Sequence, residues 1–192
     1  ITIIKPGVFS IMRLFYEDKA AKLHLREIAR RTKLHEPSTT RFLGALEKDK
    51  ILKSEKDGNL KKYFLQKNKF AYLMLEMFDV QRFEMLPAIR RNAAKYYLDA
   101  LAEKPVFAVL FGSTAKGNFK EASDIDILLV ANKEINAKSA EKEADALTGI
   151  KVSTFQIKYN EFIKELKLKE DKVVGSAVNS GYPLINHISY YE

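Results

Sequence analysis

Apolar and polar positions follow two rhythms along this chain, one of period near four and one of period two. From Val8 to Tyr16 the apolar residues recur at helical spacing and predict a first helix with a thick apolar face. Leu25, Ile28 and Ala29 fall at i, i+3 and i+4 and predict a second helix over 25–32. A short break at Lys33-Leu34-His35 follows. Residues 36–46 then predict a third helix, with Pro37 in the first turn, where no backbone donor is needed. Phe42, Leu43 and Leu46 are expected inward, which leaves Ser38, Thr39 and Arg41 outward. Residues 51–55 and 61–65 read as strands around Lys56-Asp57-Gly58-Asn59, and Asp-Gly between two such runs is a hairpin signal.

Residues 70–102 return to helical spacing and are rich in apolar and aromatic side chains: Tyr72, Leu73, Leu75, Met77, Phe78, Phe83, Met85 and Leu86. Pro87 breaks the segment in two. A stripe of this kind reads as core or subunit interface rather than as a ligand box, and a helical linker that pairs two subunits is expected. Beyond it the continuous apolar run 105–111 predicts a buried strand. Helices are expected at 137–147, 160–169 and 171–180, with strands at 124–130, 150–157 and 182–188. His187, one of three histidines, is given a structural role, because no Ser-His-Asp set can be assembled from histidines so scattered.

Composition narrows the class. The chain has 192 residues, 46% of them hydrophobic, enough for one large or two small domains with cores. No run of about 18 apolar residues predicts a membrane span, and no secretory signal pattern opens the sequence. Cysteine is absent, which excludes disulfides and thiolate metal sites and fits a cytoplasmic protein. The net charge is +8, and its placement matters more than its size. Residues 1–69 carry 17 Lys and Arg against 8 Asp and Glu, a net of +9, whereas the rest carry 16 against 17. A positive excess confined to the first third suits a polyanionic partner.

The candidate chemistry lies in Phe111-Gly112-Ser113-Thr114-Ala115-Lys116-Gly117 and Ser123-Asp124-Ile125-Asp126. Ten residues separate Ser113 from Asp124. Two carboxylates two residues apart on a strand point to one face, an arrangement that suits a hard divalent cation. A Gly-Ser turn after a strand offers a hydroxyl and backbone N–H groups to phosphate. Ile125 and Ile127 are expected to bury the opposite face.

The pattern G-S-x10-D-x-D, best over 105–157, resembles the polymerase-beta-type nucleotidyltransferases, especially the minimal nucleotidyltransferases of archaea and bacteria. The resemblance implies that Gly112, Ser113 and Lys116 bind the phosphates of ATP or another nucleoside triphosphate. It implies that Asp124 and Asp126 are catalytic and hold Mg2+ or Mn2+. Such proteins usually carry a third carboxylate on a later strand. The corresponding strand here, 150–157, has no acid; Lys151 aligns with the missing position, or Ser153 if the register slips. Asp145 is a weaker substitute.

Three helices and a basic hairpin resemble the winged helix-turn-helix of transcription regulators. That resemblance implies double-stranded DNA as a partner, with the third helix in the major groove. Ser38, Thr39, Thr40 and Arg41 would contact DNA, and Lys53, Lys56, Lys61 and Lys62 of the wing would lie along phosphates. Protein contacts or dimerisation are the competing use of such a module.

The expected fold class is therefore α+β (mixed α/β): an N-terminal winged helix-turn-helix over 1–69, linker or dimerisation helices over 70–103, and a nucleotidyltransferase fold with a mixed sheet flanked by helices over 104–192. Two functions remain open. One is transfer of a nucleoside monophosphate, AMP from ATP, to a protein or small-molecule hydroxyl; a small helical toxin-type protein is then an expected partner and an antitoxin-type regulator the expected role. The other is a transcriptional regulator whose degenerate transferase domain binds nucleotide without turnover.

Overall fold

The computed structural model describes residues 4–192. The chain forms two compact units, one running to Phe78 and including Glu192, the other Asp79–Tyr191.

The first unit follows the helical and hairpin signals of the sequence. Helix α1 spans Pro6–Glu17, with proline in its first turn. A two-residue strand, β1 (Leu23–His24), leads into α2 (Leu25–Thr32), which ends on Lys33 in a left-handed conformation. Helix α3 covers Glu36–Lys48. The hairpin is β2 (Leu52–Asp57) and β3 (Leu60–Leu65), and the sheet order is β1-β3-β2, all antiparallel. Gly58 opens its two-residue turn at φ +61°, a conformation glycine adopts without strain, while Asn59 keeps negative φ, as in a type II′ turn. Ile11, Met12 and Phe15 of α1 pack with Ile28, Leu43, Leu46, Leu52 and Tyr63. Helix α4 (Lys69–Glu84) starts where the Asn68 side chain accepts from the Ala71 N–H at 3.0 Å, and it sends Phe78 into this core, stacked on Phe9. The division between the units falls within α4, after Phe78.

The second unit is a mixed sheet covered on both faces. Pro87 caps α5 (Ala88–Ala100). Then come β4 (Phe107–Phe111), α6 (Gly112–Lys116), β5 (Ile125–Ala131), α7 (Lys138–Thr148), β6 (Val152–Lys158), α8 (Tyr159–Leu168), α9 (Lys172–Ser180), β7 (Tyr182–Ile185) and α10 (His187–Tyr191). The strand order is β6-β5-β4-β7; β5 and β6 run parallel, the other pairs antiparallel. Alternation divides the strand residues between two cores. Ala108, Leu110, Ile125, Ile127 and Leu129 pack with Ala93, Tyr97, Ala140 and Ala144 of α5 and α7. Phe107, Val109, Leu128 and Val130 pack with Phe162, Val174 and Ala177 of α8 and α9. The parallel pair is joined through α7, as a parallel connection requires a crossover.

The observed class is thus mixed α/β, with three helices and an antiparallel hairpin in the first unit and a mixed sheet flanked by helices in the second. The expected closing strand 182–188 is shorter. It stops at Ile185, and Asn186, at φ 53°, turns the chain into α10. Among the described residues, no helix is long and apolar enough to cross a membrane.

Candidate active site

The site of the second unit is built at one end of its sheet. β4 ends at Phe111, paired with Asp126 on β5. The chain turns at once into α6, with Gly112 at φ +69°. A Cβ added at Gly112 would run into the Asp126 carboxylate, so both the backbone conformation and the space demand glycine. Ser113 follows half-buried, and its carbonyl accepts from Asn118 N at 3.2 Å. Lys116 is exposed at the last position of α6, and Gly117, at φ 74°, ends the helix. Gly112, Ser113, Asp124 and Asp126 are thereby brought to one end of the sheet, and Lys116 stands a helical turn away.

Asp124 and Asp126 lie on the sheet face opposite Ile125 and Ile127, which are fully buried. Burial first, and the charge of Asp124 second, push the Asp126 carboxyl above the usual carboxylate range. Two side chains, one on the neighbouring strand β6 and one from the residue just before it, answer that charge. Ser153 stands opposite Asp126 in the parallel register, and its Oγ donates to Asp124 Oδ2 at 3.0 Å. Lys151, one pleat earlier, places its Nζ 3.4 Å from the same oxygen. Both positions considered for the absent acid therefore point into the site. Asp145 is exposed on α7, and no third acid groups with the pair among the described residues.

Arg90 is a site residue that sequence reasoning missed. It is 3% exposed on α5. Its Nη1 donates to Thr114 Oγ1 at 3.0 Å, and its Nη2 to the carbonyls of Lys120 (2.8 Å), Glu121 (3.2 Å) and Ser123 (2.9 Å). The guanidinium also lies 4.2 Å from the Phe119 ring centroid. One buried cation thus holds α6 and the whole loop that delivers Asp124. Arg82 also reaches α6, donating to Ala115 O at 2.9 Å and to Ser180 O at 3.0 Å. Nothing in an Arg-Arg pair on a helix signals that one member is buried; the loop carbonyls that it serves come thirty residues later.

The residues expected to face DNA are distributed unevenly in the first unit. Thr40 and Arg41 are exposed and Ser38 is half-buried on α3. Thr39 corrects the expectation of an outward side chain: it is fully buried, and its hydroxyl donates to His35 O at 3.1 Å. Back-bonding to the carbonyl four residues earlier satisfies the hydroxyl and makes its burial tolerable. The wing lysines split between two faces of the hairpin. Lys56 and Lys61 are directly paired on one, and Lys53 and Lys62 lie on the other. Asp57 holds Lys62 at 2.8 Å, and that hydrogen bond raises the Lys62 pKa. Lys61 reaches Glu47 only at 4.0 Å. Arg26 and Arg30 of α2, not singled out from sequence, are also exposed.

No curated protein matches the chain. Among solved structures, AF1382 from Archaeoglobus fulgidus is similar at 15% identity over 45% of this chain and 96% of its own, with a TM-score of 0.39. Human N-acetylserotonin methyltransferase, in complex with SAM, is similar at 15% identity over 49% of this chain and 29% of its own, with a TM-score of 0.27. TrmBL2, an archaeal chromatin protein whose structure shows a mode of DNA binding, is similar at 19% identity over 83% of this chain and 74% of its own, with a TM-score of 0.25. Residues 94–181, which hold Gly112, Ser113, Asp124, Asp126, Lys151 and Ser153, match the family model of the nucleotidyltransferase domain.

Proposed function

We propose that the second unit binds a nucleoside triphosphate with a divalent cation and transfers its nucleoside monophosphate, AMP from ATP, to a hydroxyl of a protein or small molecule. One observation carries this reading: Asp124 and Asp126 share a face beside the Gly112–Ser113 turn, and the Asp126 carboxylate fills the space that a side chain at Gly112 would need. The donor set fits a hard cation such as Mg2+ or Mn2+, because it consists of carboxylate oxygens whose mutual repulsion calls for positive charge. Asp124 and Asp126 would hold it, and when bound it supplies charge neutralisation to the polyphosphate and Lewis acidity toward the attacking hydroxyl. Ser113 would donate its hydroxyl to a phosphate oxygen, and Lys116 would add positive charge nearby. Arg90 keeps the loop before Asp124 in place, so that the carboxylates meet substrate in a fixed geometry.

In this reading the first unit binds double-stranded DNA through Thr40 and Arg41 of α3, supported by Lys53 and Lys56. The protein is then an antitoxin-type regulator of its own operon, working in the cytoplasm, with a small helical toxin-type protein as acceptor. The exposed apolar side chains Phe70 and Leu73 on α4 support pairing of two copies through the segment 70–103.

A second reading is favoured by a specific observation. Lys151 and Ser153 occupy the positions where a third acid would complete the site. A regulator that binds nucleotide without turnover would tolerate that exchange. Incubation with labelled ATP and Mg2+, with and without a small helical protein encoded beside it, separates the two. Label transfer that disappears in Asp126→Ala supports the transferase. Tight ATP binding with no transfer to any acceptor sinks it and leaves the nucleotide-sensing regulator.

A further inference from the structure

Asp124 Oδ2 has two partners from β6 and its approach, and they differ in kind. Ser153 Oγ is a short neutral donor at 3.0 Å. Lys151 Nζ is a full positive charge at 3.4 Å, on a side chain that is 69% exposed. An ammonium at the end of a flexible stem, held by one ion pair at the edge of solvent, is weakly fixed and can turn to another anion without moving the backbone. The backbone beneath it is fixed: Lys151 O accepts from Ile125 N at 2.9 Å, and Ser153 is in register with Asp126. The charged groups around this end of the sheet include Asp124, Asp126, Lys151, Lys116 at the end of α6 and, through the loop it holds, Arg90.

We infer that Lys151 is an exchangeable cation: it neutralises Asp124 in the nucleotide-free protein and gives that carboxylate up to engage the polyphosphate when a cation–nucleotide complex binds. The inference rests on the proposed nucleotide and cation site at Asp124 and Asp126. Its logic is competition. A divalent cation that draws on both carboxylates meets the ammonium already on Asp124 Oδ2, so Lys151 opposes binding of the cation alone. A nucleoside triphosphate brings excess negative charge, so the same ammonium favours binding of the complex. Lys151 therefore makes cation and nucleotide arrive together, because each alone leaves one charge without an opposite. A lysine with a purely structural part would move both affinities in one direction or neither.

Lys151→Gln in the full chain tests this by calorimetric titration with MnCl2 alone, and separately with a non-hydrolysable ATP analogue at saturating MnCl2. The substituted side chain is exposed, and a thermal melt confirms that the variant is folded. The expected result is opposite in sign. Mn2+ alone binds more tightly, and the analogue with Mn2+ binds more weakly, each on the order of threefold to tenfold. Lys151→Arg, which keeps the charge, stays near the unsubstituted protein in both titrations. Two affinities that move together, or do not move, overturn the inference while leaving the nucleotide site standing. Unsubstituted protein that binds neither Mn2+ nor the analogue overturns the site reading, and the part given to Lys151 falls with it.

Discussion

Arg41 of the first unit stands exposed, its guanidinium 5.2 Å from the Phe42 ring, whereas Arg90 of the second is 3% exposed and donates to four oxygens. The chemistry of the two side chains is the same, and their surroundings give them different work. An exposed guanidinium keeps its charge available to a partner and contributes little to folding. A buried one must have its donors matched inside the protein, and it thereby fixes the backbone that matches them. The positive excess read from the sequence is therefore a fair guide to the surface of the first unit, where Thr40, Arg41, Lys53 and Lys56 stand in solvent. It says nothing about the second, where a cation is part of the interior.

The contrast can be broken most sharply at Arg90. Arg90→Ala leaves the carbonyls of Lys120 and Ser123 and the Thr114 hydroxyl without their donor, and should lower the stability of the protein by about 3 kcal/mol. Chemical denaturation measures this, and a loss below about 1 kcal/mol would show that the loop holds without its cation. Gly112→Ala comes next. It sets a side chain at positive φ against the Asp126 carboxylate, at a cost of about 1–2 kcal/mol, and should reduce Mn2+ affinity more than it reduces stability. Calorimetric titration beside a melt distinguishes the two effects. The smallest change in stability belongs to the triple variant Arg41→Ala, Lys53→Ala, Lys56→Ala, expected within about 0.5 kcal/mol of the original. Its DNA affinity should nevertheless fall, and the slope of log affinity against log salt should become shallower by about 3 if each side chain meets one phosphate. A gel shift unchanged across salt concentrations would remove these residues from the proposed interface.

Periodicity made most of the fold readable. Leu25, Ile28 and Ala29 locate α2, and the apolar run before Gly112 locates β4, because those patterns follow from which faces must be buried. Three features escaped for separate physical reasons. Thr39 has the spacing of a core residue, four before Leu43, but its hydroxyl disguises it; only the bond to His35 O shows that the polar atom is satisfied. The end of β7 depends on a left-handed Asn186, which a single residue identity does not announce. The choice between Lys151 and Ser153, both named for the place of the absent acid, stayed open because it depends on the register of a parallel pair, and a strand read alone has no register. The G-S and D-x-D elements of the site were legible, since each is a local pattern; Lys151 and Ser153 could be named from the strand that follows but not told apart, and Arg90 of α5 was missed because the loop it holds comes thirty residues later.

The Asp126 carboxylate that fills the room beside Gly112 has a consequence for how such a chain can change over generations. The glycine answers to two masters, a backbone turned to φ +69° and a neighbour's oxygen. If selection ceased to protect the aspartate and a smaller residue took its place, the steric objection to a side chain at 112 would fade while the torsional one remained. Asparagine, which tolerates that torsion better than most residues, would then become an accessible replacement. The pair is thus a record of use: a lineage in which position 126 has lost its acid should show the first departures from glycine at position 112.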